Sequence, residues 1–116
     1  VIPPKYETAR NPTLAESKRA YELVRERSFG LCEGCGMRPA TEMHHRLYRS
    51  HGGLDTVENL LHLCGRGNTS GCHGDAHTGT DRYVLGWAVR TGYNPALVPV
   101  LYRGNPIILT AEGGLA

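Results

Sequence analysis

Two cysteine pairs, Cys32-x2-Cys35 and Cys64-x7-Cys72, enclose a histidine pair, His44-His45, and run directly into His73 and His77. No other feature constrains the fold of this chain as much. A Cys-x2-Cys turn aims two sulfurs at one point, and a second pair completes a closed thiolate site of the kind that holds structural zinc. Clustered imidazoles suit instead a divalent metal that keeps positions open for water and substrate. The nesting therefore implies two metal sites in one small unit, one holding the fold and one for chemistry.

The size of the chain makes such a staple useful. With 116 residues, a single Phe, a single Trp and 15 Gly, it has room for one domain with a thin core. Two disulfides are the other use for four cysteines, but histidines lie between and beside them and no apolar export segment precedes them, which favours zinc. Val1-Ile2-Pro3-Pro4 lacks a signal-peptide layout, and the apolar runs are too short to cross a bilayer. A soluble, cytoplasmic, monomeric protein with no membrane partner is expected.

Charge gives little direction. The formal value of +2 drops to neutral when four thiolates bind one zinc, and a second divalent ion at the histidines restores it. That is not the strongly basic balance that by itself announces a nucleic-acid partner. Lys18, Arg19, Arg25 and Arg27 alternate with Glu16, Glu22 and Glu26 and read as a solvated helix face. Arg46 and Arg49 differ, because they follow the histidine pair directly and are candidates for phosphate contact.

Residues 1–12 contain three prolines and no hydrophobic period, and read as an extended lead-in. Thr13-Leu14-Ala15-Glu16 fits a capping box that opens a helix running to about Ser28, with Gly30 as its stop. Residues 40–48 read as extended, so that His44 and His45 face opposite ways and hold different jobs. Gly52-Gly53 breaks this strand, and the chain returns through Asn59 into Leu60-Leu61-His62-Leu63. A short helix from near Cys72 sets His73 and His77 on one face, four residues apart. Asp81 is a cap for a further helix through Val84 and Leu85, and Leu101-Tyr102 with Ile107-Ile108-Leu109 reads as a terminal β-hairpin. Trp87 and Tyr102 read as core residues, and His51 and His62 as loop or surface residues.

These residues suit phosphodiester hydrolysis. The reaction needs a nucleophile made from water, neutralisation of charge on the phosphoryl oxygens and help for the departing sugar oxygen, which one base and one divalent ion can supply together. His45 is the candidate base, provided an acceptor holds its second ring nitrogen. His44, His73 and His77 are candidate ligands of the ion, Cys32, Cys35, Cys64 and Cys72 those of the structural zinc, and the Asn59 amide can pin the loop that carries the base.

With the His44-His45 pair, the Arg49-x2-Gly52-Gly53 turn, Asn59-Leu60-x2-Leu63-Cys64 and Cys72-His73-x3-His77, residues 31–77 resemble an HNH endonuclease of the ββα-metal type, especially the small phage-encoded members with a zinc knuckle. The resemblance implies an α+β fold: a small zinc-stapled ββα-metal domain over residues 13–95, including an N-terminal helix, and a C-terminal β-hairpin extension over 96–116. It implies DNA as substrate, cut to 3′-hydroxyl and 5′-phosphate ends, with His45 as general base, Asn59 as the motif asparagine, and His44, His73 and His77 as ligands of one catalytic cation. Many family members carry Asp where His44 stands, and the His-His pair followed by His-x3-His is more similar to the nuclease domains of DNase colicins. The cation is accordingly Mg, Mn, Ni, Co or Zn, with imidazole favouring the transition metals. Small phage proteins of this kind often act beside the terminase that packages DNA, which implies that partner and the cytoplasm of a bacterial host. The alternative is a zinc-stabilised DNA- or protein-binding module whose histidines bind metal without turnover.

Overall fold

A computed structural model describes residues 11–116, so residues 1–10 of the expected lead-in lie outside the described residues. Helix α1 spans Leu14–Ser28, and its start is set locally. The Thr13 hydroxyl accepts from the Glu16 amide at 3.1 Å, and the Glu16 carboxylate accepts from the Thr13 amide at 2.9 Å. The helix ends two residues before Gly30, with its cap residue Phe29 in the left-handed region at φ 53° and the Phe29 amide bonded to the Arg25 carbonyl.

Strands β1 (Glu42–His45) and β2 (Leu60–Leu63) pair antiparallel, with His44 opposite Leu61 and His45 opposite Leu60. Helix α2 (Gly71–Thr78) follows, which completes a ββα unit. Strands β3 (Val100–Tyr102) and β4 (Asn105–Ile107) form the terminal hairpin, turned by Arg103 at φ 50° and Gly104 at φ 89°. Two consecutive positive φ values match the twist of a two-residue hairpin. The fold is thus α+β, with two helices and two small antiparallel sheets.

Strand β2 divides the core by its alternation. Leu60 packs with Ala20, Val24 and Val57 beneath α1, while Leu61 and Leu63 point the other way, into a cluster with Cys32, Cys72, Ala76, Trp87, Val100 and Tyr102. Polar contacts lock the two halves together. Buried Arg27 on α1 pairs with buried Glu33 at 2.6 Å and also donates to the carbonyls of Val57 and Leu60, and Glu33 in turn accepts from the His62 amide. His62 is tied to α1 as well, through Ser28 Oγ at 2.8 Å from its Nδ1.

The helix expected after Asp81 is not formed. Residues 80–88 make successive turns instead, because their backbone groups are claimed from elsewhere: Leu85 accepts from the Leu101 amide and Gly86 from the Arg46 side chain. Gly86, at φ 70°, sits so close to strand β3 that a Cβ there would lie 2.0 Å from the Pro99 carbonyl oxygen. Among the described residues no helix is long and apolar enough to cross a membrane.

Candidate metal centres and active site

The four cysteines converge although they come from two distant turns. Their sulfurs all lie within 4.8 Å of one another, and none is engaged in a disulfide. Backbone amides point at them: Gly34 N and Cys64 N lie 3.4 and 3.3 Å from Cys32 Sγ, Met37 N lies 3.4 Å from Cys35 Sγ, and Cys72 N lies 3.4 Å from Cys64 Sγ. Such N–H groups favour thiolate over thiol. The Cys72 thiol draws Cys32 down to about 4, with amide donors assisting against burial, and the same contact drives Cys72 upward. Four sulfurs this close cannot all ionise unless a cation sits among them, and four thiolates suit a structural zinc. The seven-residue gap before Cys72 is absorbed by a loop in which Gly65, Gly67 and Gly71 all take positive φ. A Cβ on Gly65 would lie 2.0 Å from the Ser70 carbonyl oxygen, so the loop closes only with glycine there.

The second cluster joins β1 to α2. One ring nitrogen each from His44, His73 and His77 falls within the same 4.8 Å limit. His44 is 1 % exposed; its Nε2 donates to the Trp87 carbonyl at 2.6 Å, and its Nδ1 is buried without a hydrogen-bond partner. An imidazole with one nitrogen anchored on a carbonyl and the other bare is the usual arrangement of a metal-ligating histidine. Burial also depresses its pKa to about 3, which keeps the ring neutral and its lone pair available. His73 repeats the pattern, with Nδ1 held at 2.8 Å by the Glu42 carboxylate. Its Nε2 faces the Nε2 of His77 at 3.2 Å, a separation that two lone pairs tolerate only with a proton or a cation between them. Tyr48 stacks on the His77 ring at 4.8 Å between centroids and donates its hydroxyl to the Ala76 carbonyl, which fixes that ring against the helix. These donor atoms fit a divalent transition metal.

His45 stands beside this cluster with a different environment. Its Nε2 lies 2.7 Å from Asp55 Oδ1, and its side chain shares a cleft of about 360 Å³ with Tyr48, Arg49, Asn68, His73 and His77. Burial lowers the His45 pKa below the ordinary imidazole value, and the Asp55 carboxylate opposes that shift. The loop carrying Asp55 is held by Asn59, which is 1 % exposed. Asn59 Oδ1 accepts from the Leu47 amide at 2.7 Å, and its Nδ2 donates to the carbonyls of Leu47 and Leu54, both at 3.1 Å. Gly53 permits this closure, since a Cβ there would lie 1.7 Å from the Leu47 carbonyl oxygen.

The two arginines after the histidine pair part company. Arg49 is exposed, with 72 % of its side chain accessible, and lines the cleft 4.0 Å from Asp55. Arg46 requires a correction: it is fully buried and donates to the carbonyls of Gly86, Glu58, Pro95 and Val98, so it cannot reach a phosphate. It continues the inward face of β1 begun by Glu42 and His44, and its charge is solvated by backbone dipoles. Three further contributors to the site went unread in the sequence: Asp55, Glu42 and Tyr48. Strand alternation places Glu42 on the His44 face, a usable signal. Asp55 is brought to His45 only by loop closure, which no local pattern announces.

Residues 32–79 match the HNH endonuclease family model. The match takes in both cysteine pairs, the histidine pair, Asn59 and α2, and covers less than half of the chain. This segment is similar to an HNH domain, and its four neighbouring cysteines fit a zinc knuckle. A nuclease-type function with metal binding is what the domain and its two ligand clusters support. No curated protein and no solved structure gives a significant match to the chain.

Proposed function

We propose that the HNH domain of residues 32–79 makes this chain a metal-dependent endonuclease that hydrolyses DNA phosphodiester bonds. The observation that carries this reading is the convergence of three imidazoles, His44, His73 and His77, in and beside the cleft that also holds His45. In its neutral form His45 donates from Nε2 to Asp55, which leaves Nδ1 to take a proton from an attacking water. Asn59 keeps the base and its carboxylate in register by fixing the loop between them. Arg49, exposed at the rim, contacts a phosphate and positions the strand. His44, His73 and His77 would hold a divalent cation, which would neutralise the charge that builds on the phosphoryl and leaving oxygens. Mn, Ni, Co and Zn suit three imidazoles better than Mg does. The four cysteines hold zinc that stabilises the fold.

Incubation of the metal-loaded protein with supercoiled plasmid tests the proposal, with nicked or linear DNA as the expected product. The His45→Ala variant should lose about 100-fold or more of that activity while melting like the parent. Undiminished cutting by the variant removes His45 from the chemistry, and a parent that binds DNA without cutting it favours the non-catalytic module.

The same reading extends to a phage origin, action in a bacterial cytoplasm and a packaging terminase as partner, supported by the likeness of the motif set to small phage nucleases. A purified large terminase subunit should bind the protein or alter its cutting. If it does neither, that part of the reading falls.

A further inference from the structure

Beyond residue 79, outside the family match, two arginines close on one tyrosine. The Arg82 guanidinium lies 4.6 Å from the centroid of the Tyr83 ring, and that of Arg90 lies 4.1 Å from it. Among the described residues neither arginine forms an ion pair with a carboxylate. Arg90 is exposed, and a guanidinium laid on an aromatic face keeps its in-plane N–H donors directed outward, in the fork geometry that phosphate oxygens accept; Arg82, whose Nη1 donates to the Gly79 carbonyl and whose Nε is buried, adds its charge from behind the ring. Two of them on one ring would be an unfavourable concentration of positive charge unless solvent or an anion faces them.

The segment is rigidly mounted. Ala88 N donates to the Arg82 carbonyl at 3.0 Å, Val89 N donates to the Arg46 carbonyl at 2.8 Å, and the Arg46 side chain grips Gly86. It is also continuous with the catalytic cleft. Arg82 donates to the Gly79 carbonyl at the end of α2, and its charge acts on Tyr48, the residue stacked on His77. On the far side, Tyr83, Arg90 and Tyr93 border a second hollow of about 140 Å³.

We infer that Arg90, laid on Tyr83 and backed by the charge of Arg82, forms a preorganised ridge that grips the phosphate backbone of duplex DNA beside the scissile position. This inference rests on the nuclease reading for its ligand, and charge complementarity together with continuity with the cleft selects DNA over an acidic protein. Phosphate contacts fix position rather than sequence, so the ridge sets where the duplex lies in the cleft without choosing its bases.

Fluorescence anisotropy with a short labelled duplex, across a salt series and on the full chain with its zinc retained, tests the ridge. Arg90→Ala should weaken binding roughly tenfold at low salt and reduce the slope of log affinity against log salt by about 0.9, the value for one lost contact on B-form DNA. Tyr83→Leu keeps both charges but removes the platform, and should weaken binding with little change in slope. Thermal melts of both variants establish that they fold. Parent-like affinity and slope in Arg90→Ala overturn the ridge, as does competition by polyglutamate that equals competition by unlabelled duplex. A parent that binds with an Arg90-dependent slope but never cuts leaves the ridge standing and removes the nuclease reading. A parent that cuts, with an Arg90→Ala variant of unchanged KM and slope, does the reverse.

Discussion

Nε2 of His45 lies 2.7 Å from Oδ1 of Asp55, and this single hydrogen bond decides which ring nitrogen stays free, the one that takes the proton of water if His45 is the base as proposed. The carboxylate also raises the basicity of a ring that burial depresses. A base works in its neutral form, so activity is present above the His45 pKa and is lost as the pH falls through it. Because that pKa sits below the ordinary imidazole value, the acidic limb of the kcat/KM profile should lie below about 6.5. Asp55→Asn removes the group that raises the pKa, so its limb should move further down in pH while the plateau falls about tenfold or more. A limb that stays in place shows that Asp55 does not act through His45.

Arg46 supplies a contrasting prediction about stability. Arg46→Met leaves the carbonyls of Gly86, Glu58, Pro95 and Val98 without the donor that now joins them. Leaving buried acceptors without a donor costs about 1 to 3 kcal/mol for each that stays dry, read as a drop in the denaturant midpoint. Arg49→Ala, at an exposed side chain, should change stability by less than about 0.5 kcal/mol and act on DNA affinity instead. Equal stability of the two variants contradicts a structural role for Arg46.

How much of this was readable in advance follows from the range of the interactions involved. The capping box of α1 and the terminal hairpin are local, although the hairpin turns more tightly than the four residues between Tyr102 and Ile107 suggest, since Asn105 and Pro106 already pair in β4 and only Arg103-Gly104 make the turn. The cysteine and histidine spacings are legible because ligand geometry restricts them strongly. Asp81, Val84 and Leu85 fit a helix locally, but strand β3 and Arg46 take the backbone groups that a helix over residues 80–88 needs. Arg46 itself was read through its neighbours in sequence. Period-two alternation puts it on the face of His44, which points into the protein. The Asp55 contact and the Trp87 carbonyl beneath His44 depend on loop and chain closure over longer spans, and local patterns carry no trace of them.

Glu42 holds His73 in the orientation that turns Nε2 toward His44 and His77. The hydrogen bond from His73 keeps the Glu42 carboxyl below the usual carboxylate range, so the pair persists at neutral pH. Glu42→Ala frees the ring to rotate, and outer-shell partners of this kind are worth about 10- to 100-fold in metal affinity. Titration calorimetry with Mn or Ni should register that loss, while zinc content per molecule at the cysteines stays at the parent level. Unchanged affinity means that helix α2 alone orients His73.

The two clusters should part under chelation, because four thiolates hold zinc in a closed site and the fold depends on it, whereas three imidazoles leave positions open. His73 and His77 line a cleft and belong to neither buried apolar cluster, whereas Cys32, Cys64 and Cys72 are 0 %, 3 % and 7 % exposed, and the sulfurs of Cys32 and Cys64 accept backbone amides, the second from Cys72 at the start of α2. A mild chelator should therefore abolish plasmid cutting first, with far-UV circular dichroism and melting temperature nearly unchanged, and added Mn or Ni should restore activity. Harsher chelation that reaches the cysteines should unfold the chain, since Cys32, Cys64 and Cys72 belong to the same buried cluster as Leu61, Trp87 and Val100 and cannot spread apart without opening it. Cys64→Ser should reproduce that second state and His44→Ala the first. Simultaneous loss of activity and helix signal at every chelator concentration would mean that one ion serves both tasks, and the division between a structural and a chemical centre would have to be abandoned.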